Sequence, residues 1–153
     1  MRVRKFKKED AVKASNIVKQ GFEISNARFY KKNSIAEQVE SNSPKNLIEK
    51  AKKIHYFVAV EKAEILGIGG YDTKKVHTLF VDPKHQGKGI GKKLIERILS
   101  EAKKNGIKIL DSWSTFQAEK FYAKAGFKRI KIFTLQCRHS SIDFVLMRKN
   151  MLQ

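Results

Sequence analysis

The stretch Val81-Asp82-Pro83-Lys84-His85-Gln86-Gly87-Lys88-Gly89-Ile90-Gly91-Lys92 decides how this chain is read. Asp82-Pro83 stops an apolar run, Val76-His77-Thr78-Leu79-Phe80-Val81, that has the composition of a strand. Beyond the glycines, Leu94, Ile95, Ile98, Leu99 and Ala102 fall at i, i+1, i+4, i+5 and i+8, the spacing of one helix face. A strand, a glycine-rich loop and a helix start in that order bring backbone N–H groups and the positive end of a helix dipole onto one point, where an anion is held. Glycine lets the backbone approach a phosphate with no side chain between. The alternating glycines at 87, 89 and 91 fit neither GxxxxGK[ST] nor GxGxxG, so this is neither a P-loop nor a dinucleotide fingerprint. Alone, so short a pattern also reads as a connector that merely caps a helix.

Outward from the loop, the apolar periods alternate between strand and helix. Upstream, His55-Tyr56-Phe57-Val58-Ala59-Val60 and Glu64-Ile65-Leu66-Gly67-Ile68-Gly69-Gly70-Tyr71 read as a hairpin around a tight polar turn. Before it, Val3 and Phe6 mark a first strand, and Asp10 caps a helix with Ala11, Ala14, Val18 and Gly21 on one stripe. Between 22 and 43 the pattern blurs: Ile35 and Val39 suggest a short helix, and Pro44 opens another over 45–53. Downstream, Asn105-Gly106 ends the helix after the loop, Ile107-Lys108-Ile109-Leu110 is a fifth strand, and 115–125 is an amphipathic helix stopped by Gly126. Two further strands follow near 128–135 and 142–147. The expectation is an α+β fold in a single domain over 1–153, with about seven strands and about four helices and no internal repeat.

The chain has 153 residues, and Lys+Arg 33 against Asp+Glu 15 leaves a formal net charge of +18. Its 41% hydrophobic and 10% aromatic residues belong to a folded globule. No apolar run approaches the roughly 18 to 20 residues that cross a bilayer, so no membrane partner is expected and a cytoplasmic location is. The single cysteine, Cys137, reads as an inert thiol, and with His55, His77, His85 and His139 it matches no metal-ligand spacing. No metal is therefore expected. A charge of +18 invites nucleic acid, but the lysines are spread along the chain instead of gathered on an arm, which favours a solvated surface.

Taken with its flanks, the loop resembles the GNAT superfamily of acyl-CoA-dependent N-acyltransferases. Gln86-x-x-Gly89-x-Gly91 matches that family's Gln/Arg-x-x-Gly-x-Gly/Ala signature in full. Leu79-Phe80-Val81-Asp82-Pro83-Lys84 is similar to its fourth strand and exit, and Ala118-Glu119-Lys120-Phe121-Tyr122-Ala123-Lys124-Ala125-Gly126-Phe127 to its A-x-x-F-Y-x-x-x-G-F segment. Phe144-Val145-Leu146-Met147-x-Lys149 resembles its last strand. The resemblance implies a mixed, strongly bent sheet whose fourth and fifth strands splay apart to admit acetyl-CoA. It implies pyrophosphate on the N–H groups of Gln86, Gly87, Lys88, Gly89, Ile90 and Gly91, with the pantetheine arm along Leu79, Phe80 and Val81. Lys88, Lys92 and Lys93 are the point charges available to phosphates.

By the same resemblance, Tyr122 is the general acid beside the thioester sulfur; a phenol with an ordinary pKa of about 10 carries the proton that this role needs. His77 lies at a strand position where some members carry a catalytic histidine, and is the candidate base. Two departures stand out. Thr115 occupies a place where members often have asparagine, so Ser112, Ser114 or Thr115 is expected to supply that contact. The fifth strand also lacks the E-V-R pattern typical of ribosomal-protein N-terminal acetyltransferases.

The acceptor side falls to 22–44 and 136–142, with Phe22, Phe29, Tyr30 and Trp113 as candidate lining. The activity implied is transfer of acetyl from acetyl-CoA to a primary amine of a small molecule or peptide in a ternary complex, and a homodimer is left open. The competing readings are a basic nucleic-acid-associated protein, which no helix-turn-helix or zinc-finger pattern supports, and a binding-only acyl-CoA sensor.

Overall fold

The hairpin expected at 55–71 forms as β2 (His55–Glu61) and β3 (Glu64–Tyr71), the second and third strands of the sheet. Lys62 and Ala63 join them with φ of 50° and 63°, a two-residue turn whose twist matches that of the flanking strands. The computed structural model describes residues 1–152; Gln153, the last residue of the expected domain, lies outside the described residues. Around the hairpin stand β1 (Arg2–Lys5), β4 (Lys75–Val81), β5 (Ile109–Ser114), β6 (Lys128–Gln136) and β7 (Ser141–Asn150). They make a seven-stranded sheet in the order β1-β2-β3-β4-β5-β7-β6. The sheet is mixed because β4 and β5 run parallel while the other neighbours are antiparallel.

Five α-helices cover it: α1 (Ala11–Gln20), α2 (Lys32–Ser41), α3 (Pro44–Lys50), α4 (Ile90–Lys104) and α5 (Glu119–Lys124). The blurred stretch after α1 is a turn of π-helix at Gly21–Ser25 followed by α2. Because β2 is buried on both faces, its side chains feed two cores in alternation. Phe57 and Ala59 join α4 and its Leu94, Ile98 and Ala102. Tyr56, Val58 and Val60 join Ile17 and Val18 of α1, Leu47 of α3 and Phe144 of β7.

Two irregularities shape the middle of the molecule. Opposite Ile68 and Gly70 of β3 stand Phe80 and His77 of β4, so β4 carries one extra residue there. The bulge holds Thr78 at φ 51°, a strained conformation for a β-branched residue, and Thr78 Oγ1 donates to Asn42 Oδ1 at 3.1 Å. Second, β4 and β5 pair only at Lys75↔Asp111 and Val76↔Ser112. From His77 onward the facing edge of β4 is unpaired, and the two strands part.

Several expected elements have other bounds: α3 stops at Lys50, short of 53, and β7 runs on to Asn150. β5 starts two residues late and runs on to Ser114 because its register with β7, from Ile109↔Asn150 to Ser114↔Val145, draws Asp111, Ser112 and Ser114 into the ladder. α5 is shorter than 115–125, since 115–118 closes as a turn in which Ala118 N–H donates to Thr115 O at 3.1 Å.

At the N-terminus, Asp10 joins β1 to α1. Arg4 donates to both its carboxylate oxygens, at 2.8 and 3.0 Å, and Lys7 N–H donates at 2.7 Å. Burial alone would raise this carboxyl, but Arg4 and the Lys7 N–H outweigh it and hold its pKa below the usual value. A depressed carboxyl stabilises the fold above its unfolded pKa and loses that contribution as pH falls through the folded value. Asp10 makes no side-chain cap bond to α1, contrary to expectation, and Asp10→Ala is expected to cost about 2 kcal/mol at pH 7 from the lost Arg4 pairing and the unsatisfied Lys7 N–H. In urea unfolding the gap to wild type should narrow below about pH 4.

Candidate active site

Where β4 and β5 part, a cavity of about 850 Å³ opens between them, floored by the sheet. All seven residues of β4 line it, His77, Leu79, Phe80 and Val81 among them. Gln86, Gly87 and Gly89 come from the loop and Ile90, Gly91 and Lys92 from the first turn of α4, with Thr115 and Tyr122 on the far wall. Lys88 is exposed and outside the lining, as is Lys93. Of the expected acceptor residues, Phe22 and Trp113 line the cavity. Phe29 and Tyr30 pack instead on Phe116, at 6.4 and 5.9 Å between ring centres.

The loop is built by Asp82, a buried carboxylate whose Oδ1 accepts from Lys84 N–H at 3.0 Å and turns Pro83–His85 into a single 3-10 turn. The chain then passes through Gly87 and Gly89 at φ 80° and 79°, and Gly89 is the N-cap of α4. Lys93 N–H donates to Gly89 O at 3.1 Å as the first bond of the helix. The N–H groups of Ile90, Gly91 and Lys92 therefore have no helical partner. A side chain at 87 or 89 would meet nothing within 4 Å, so its space is the open mouth of the cavity. At 91 it would come within 3.1 Å of Phe121, because α4 and α5 close together there. Unclaimed N–H groups, a helix dipole and a concavity kept free of side chains form a phosphate cradle, and the residues present fit the pyrophosphate of a CoA ester.

Tyr122 is 6% exposed, edge-on to Phe121 and Phe127 with ring centres 5.3 and 5.4 Å away. Burial pushes its phenol up to about 12, with Ser112 pulling the other way. The serines drawn into β5, Ser112 and Ser114, are both 1% exposed. Ser114 Oγ donates to Thr115 O at 2.7 Å, and Thr115 Oγ1 accepts from Ala118 N–H at 3.3 Å. These hydroxyls hold the turn that leads into α5.

His77 has partners on both ring nitrogens. Nε2 lies 2.8 Å from Asp72 Oδ2, and Nδ1 faces Lys75 Nζ at 3.4 Å. With a carboxylate on Nε2, that nitrogen carries the proton and Nδ1 keeps the lone pair. Burial lowers the His77 pKa and Lys75 lowers it further, while Asp72 raises it. Sequence reasoning missed Asp72. Its signal was local: Oδ1 accepts from Lys74 and Lys75 N–H, both at 2.9 Å, the turn by which an aspartate enters a strand. Also missed were Lys50 and Lys75, which line the cavity with Trp113. Cys137 lies outside it, partly buried, as does His139. Among the described residues no three His, Cys, Asp or Glu gather as metal ligands, and no helix is long and apolar enough to cross a membrane.

Several solved structures share this architecture. A GCN5-related N-acetyltransferase from Rhodopseudomonas palustris superposes with TM-score 0.90 at 19% identity, over 97% of this chain and 94% of that one. A PaiA N-acetyltransferase from Thermoplasma acidophilum, in complex with coenzyme A, gives 0.79 at 22%, over 97% and 98%. At such identities the likeness speaks to the fold. In sequence, an uncharacterised N-acetyltransferase from Methanocaldococcus jannaschii is 34% identical over 79 residues, 50% of this chain and 35% of that protein. The N-alpha-acetyltransferase RimI of Mycobacterium tuberculosis is 32% identical over 76 residues, 50% and 48%. These matches span less than half of each relative. Residues 13–151 match the family described as the acetyltransferase (GNAT) domain, nearly end to end. With the glycine cradle at the parting of β4 and β5, that match means that this chain belongs to the GNAT acetyltransferase family.

Proposed function

We propose that the protein is an N-acetyltransferase that transfers acetyl from acetyl-CoA directly to a primary amine of a small molecule or peptide. One observation carries the reading: the phosphate cradle at Gly87 and Gly89 opens into the same cavity as Tyr122 and His77. The coenzyme A bound to the Thermoplasma acidophilum protein, and the acetyl-CoA of a Salmonella typhimurium acetyltransferase structure of TM-score 0.68 and 19% identity, support it.

Bound there, acetyl-CoA supplies an activated thioester. The N–H groups of Ile90, Gly91 and Lys92 hold its phosphates, with Lys92 as a point charge, and the unpaired edge of β4 at Leu79, Phe80 and Val81 offers ladder groups to its arm. His77 Nδ1 takes the proton that the amine nitrogen loses as the new N–C bond forms, and Asp72 stabilises the imidazolium. Tyr122 Oη–H donates to the departing sulfur. A phenol raised to about 12 holds its proton against a thiol near 8.5, so the hydrogen bond itself stabilises the leaving thiolate.

The test is calorimetric titration with acetyl-CoA, then release of free thiol across a panel of amines. Absence of binding overturns the reading; binding with no amine accepted points to a sensor. Asp72→Asn removes what raises the His77 pKa. Because the base acts unprotonated, activity rises with pH through that pKa, and the acid limb of kcat should move to lower pH. At pH 7, kcat should fall by about ten-fold as the imidazolium loses its counter-charge. An unmoved limb removes His77 as the base.

A further inference from the structure

The cavity lining contains four lysines, Lys50, Lys75, Lys92 and Lys124, and no aspartate or glutamate, so its bias is towards anions throughout. Lys92 lies at the phosphate cradle. Lys75 begins β4, six residues and about 20 Å of strand away from Val81. This far end is the acceptor's side, and a cofactor phosphate held at the loop does not account for a positive charge there.

Lys50 ends α3 and its Nζ donates to Ser41 Oγ at 2.9 Å. Lys75 Nζ is held 4.1 Å over the Trp113 ring and 3.4 Å from His77 Nδ1. Both side chains are half-buried, and among the described residues neither forms a salt bridge, Glu49 being taken by Lys52. Burial lowers the pKa of each; at Lys75 the Asp72 carboxylate pulls the other way and Lys50 lowers it further. The nearby carboxylate, Asp72, is already held by His77 and by the Lys74 and Lys75 N–H groups, so two ammonium groups that repel each other at a lining without a carboxylate are costly, and an anion placed between them lowers the cost. Beside them Trp113, Leu135 and Phe144 offer an apolar wall. The charge and the wall together describe one ligand: an apolar body carrying an anionic group.

We propose that Lys50 and Lys75 form an anion subsite for the acceptor, so that the amine acetylated is an anionic one, an apolar amino acid before all. This rests on the acetyltransferase reading above and names its substrate class. Lys50 and Lys75 hold the anionic group while Trp113 supports the side chain. A polyamine, which would bring further positive charge to this end, is excluded by the same arrangement.

The experiment titrates coenzyme A-saturated protein with product pairs that differ only in charge: N-acetyl-L-phenylalanine and N-acetyl-L-methionine against their amides. N-acetyl-phosphoethanolamine distinguishes phosphate from carboxylate. The anionic member of at least one pair should bind about ten-fold or more tightly than its amide. Lys50→Gln and Lys75→Met should each bring the ratio towards one while coenzyme A affinity is unchanged, and Lys50→Arg should keep it. Equal binding of acid and amide by the wild type, absence of binding by every probe, or an undiminished ratio in both neutral variants overturns the subsite. Tighter binding of the phosphate probe alone overturns the carboxylate assignment. Failure of the wild type to bind coenzyme A overturns the acetyltransferase reading itself, and is read from a separate titration.

Discussion

Gly89→Glu should abolish binding of acetyl-CoA, with affinity falling by at least about a hundred-fold in calorimetry. Three effects add. Gly89 caps α4 at φ 79°, a left-handed conformation that costs an L residue about 1–2 kcal/mol. Its side chain would enter the open mouth of the cavity, the space that phosphates need. A carboxylate there also meets phosphate oxygens with like charge, at N–H groups that would otherwise hold them. Strain can be separated from occlusion within the same helix. Gly106 follows the C-terminal end of α4 at φ 77°, again with nothing within 4 Å of a side chain. Gly106→Glu should therefore lose comparable stability, about 1 kcal/mol, and keep its affinity for acetyl-CoA. Equal affinity in Gly89→Glu and wild type would remove the loop from cofactor binding.

Tyr122→Phe should lower kcat by about a hundred-fold or more and leave the Kd for acetyl-CoA nearly unchanged. Phenylalanine keeps the ring and its edge-on packing against Phe121 and Phe127, so the fold and the cavity wall survive. What is lost is one O–H beside the departing sulfur. Since burial raises the phenol to about 12, Tyr122 stays protonated across the working range, and no alkaline limb below about pH 11 should come from it. Unchanged kcat would take Tyr122 out of the mechanism.

Much of this site was legible in the chain. The loop from Asp82 to Lys92, the helix after it and the segment around Phe121 and Tyr122 are local patterns, in which spacing states the backbone geometry directly. That is why most of the residues named from a resemblance, Lys88 excepted, lie around one cavity. The long +18 charge was legible as a quantity and not as a distribution. Lys50 and Lys75 looked like any others among the Lys+Arg 33, because nothing within a few residues of either says that α3 and β4 will bring both to one wall. The Thr78 bulge was hidden for the same reason, since it depends on the register between β3 and β4, whereas the Asp72 turn was written locally.

Read alone, the sequence determined the α+β order of elements, the glycine loop between a strand and a helix, and the family it resembles, since each is written in residues close together along the chain. Only the tertiary structure decided how far β5 runs, which nitrogen of His77 carries the lone pair, and that the far end of the cavity is cationic. Those properties arise between strands and helices distant in sequence. Ser112 and Ser114 enter β5 because β7 supplies partners for their backbone, and Lys75 keeps its place because Trp113 and His77 stand beside it. Pairing and burial override local preference wherever a polar residue gains partners that its neighbours in the chain do not provide.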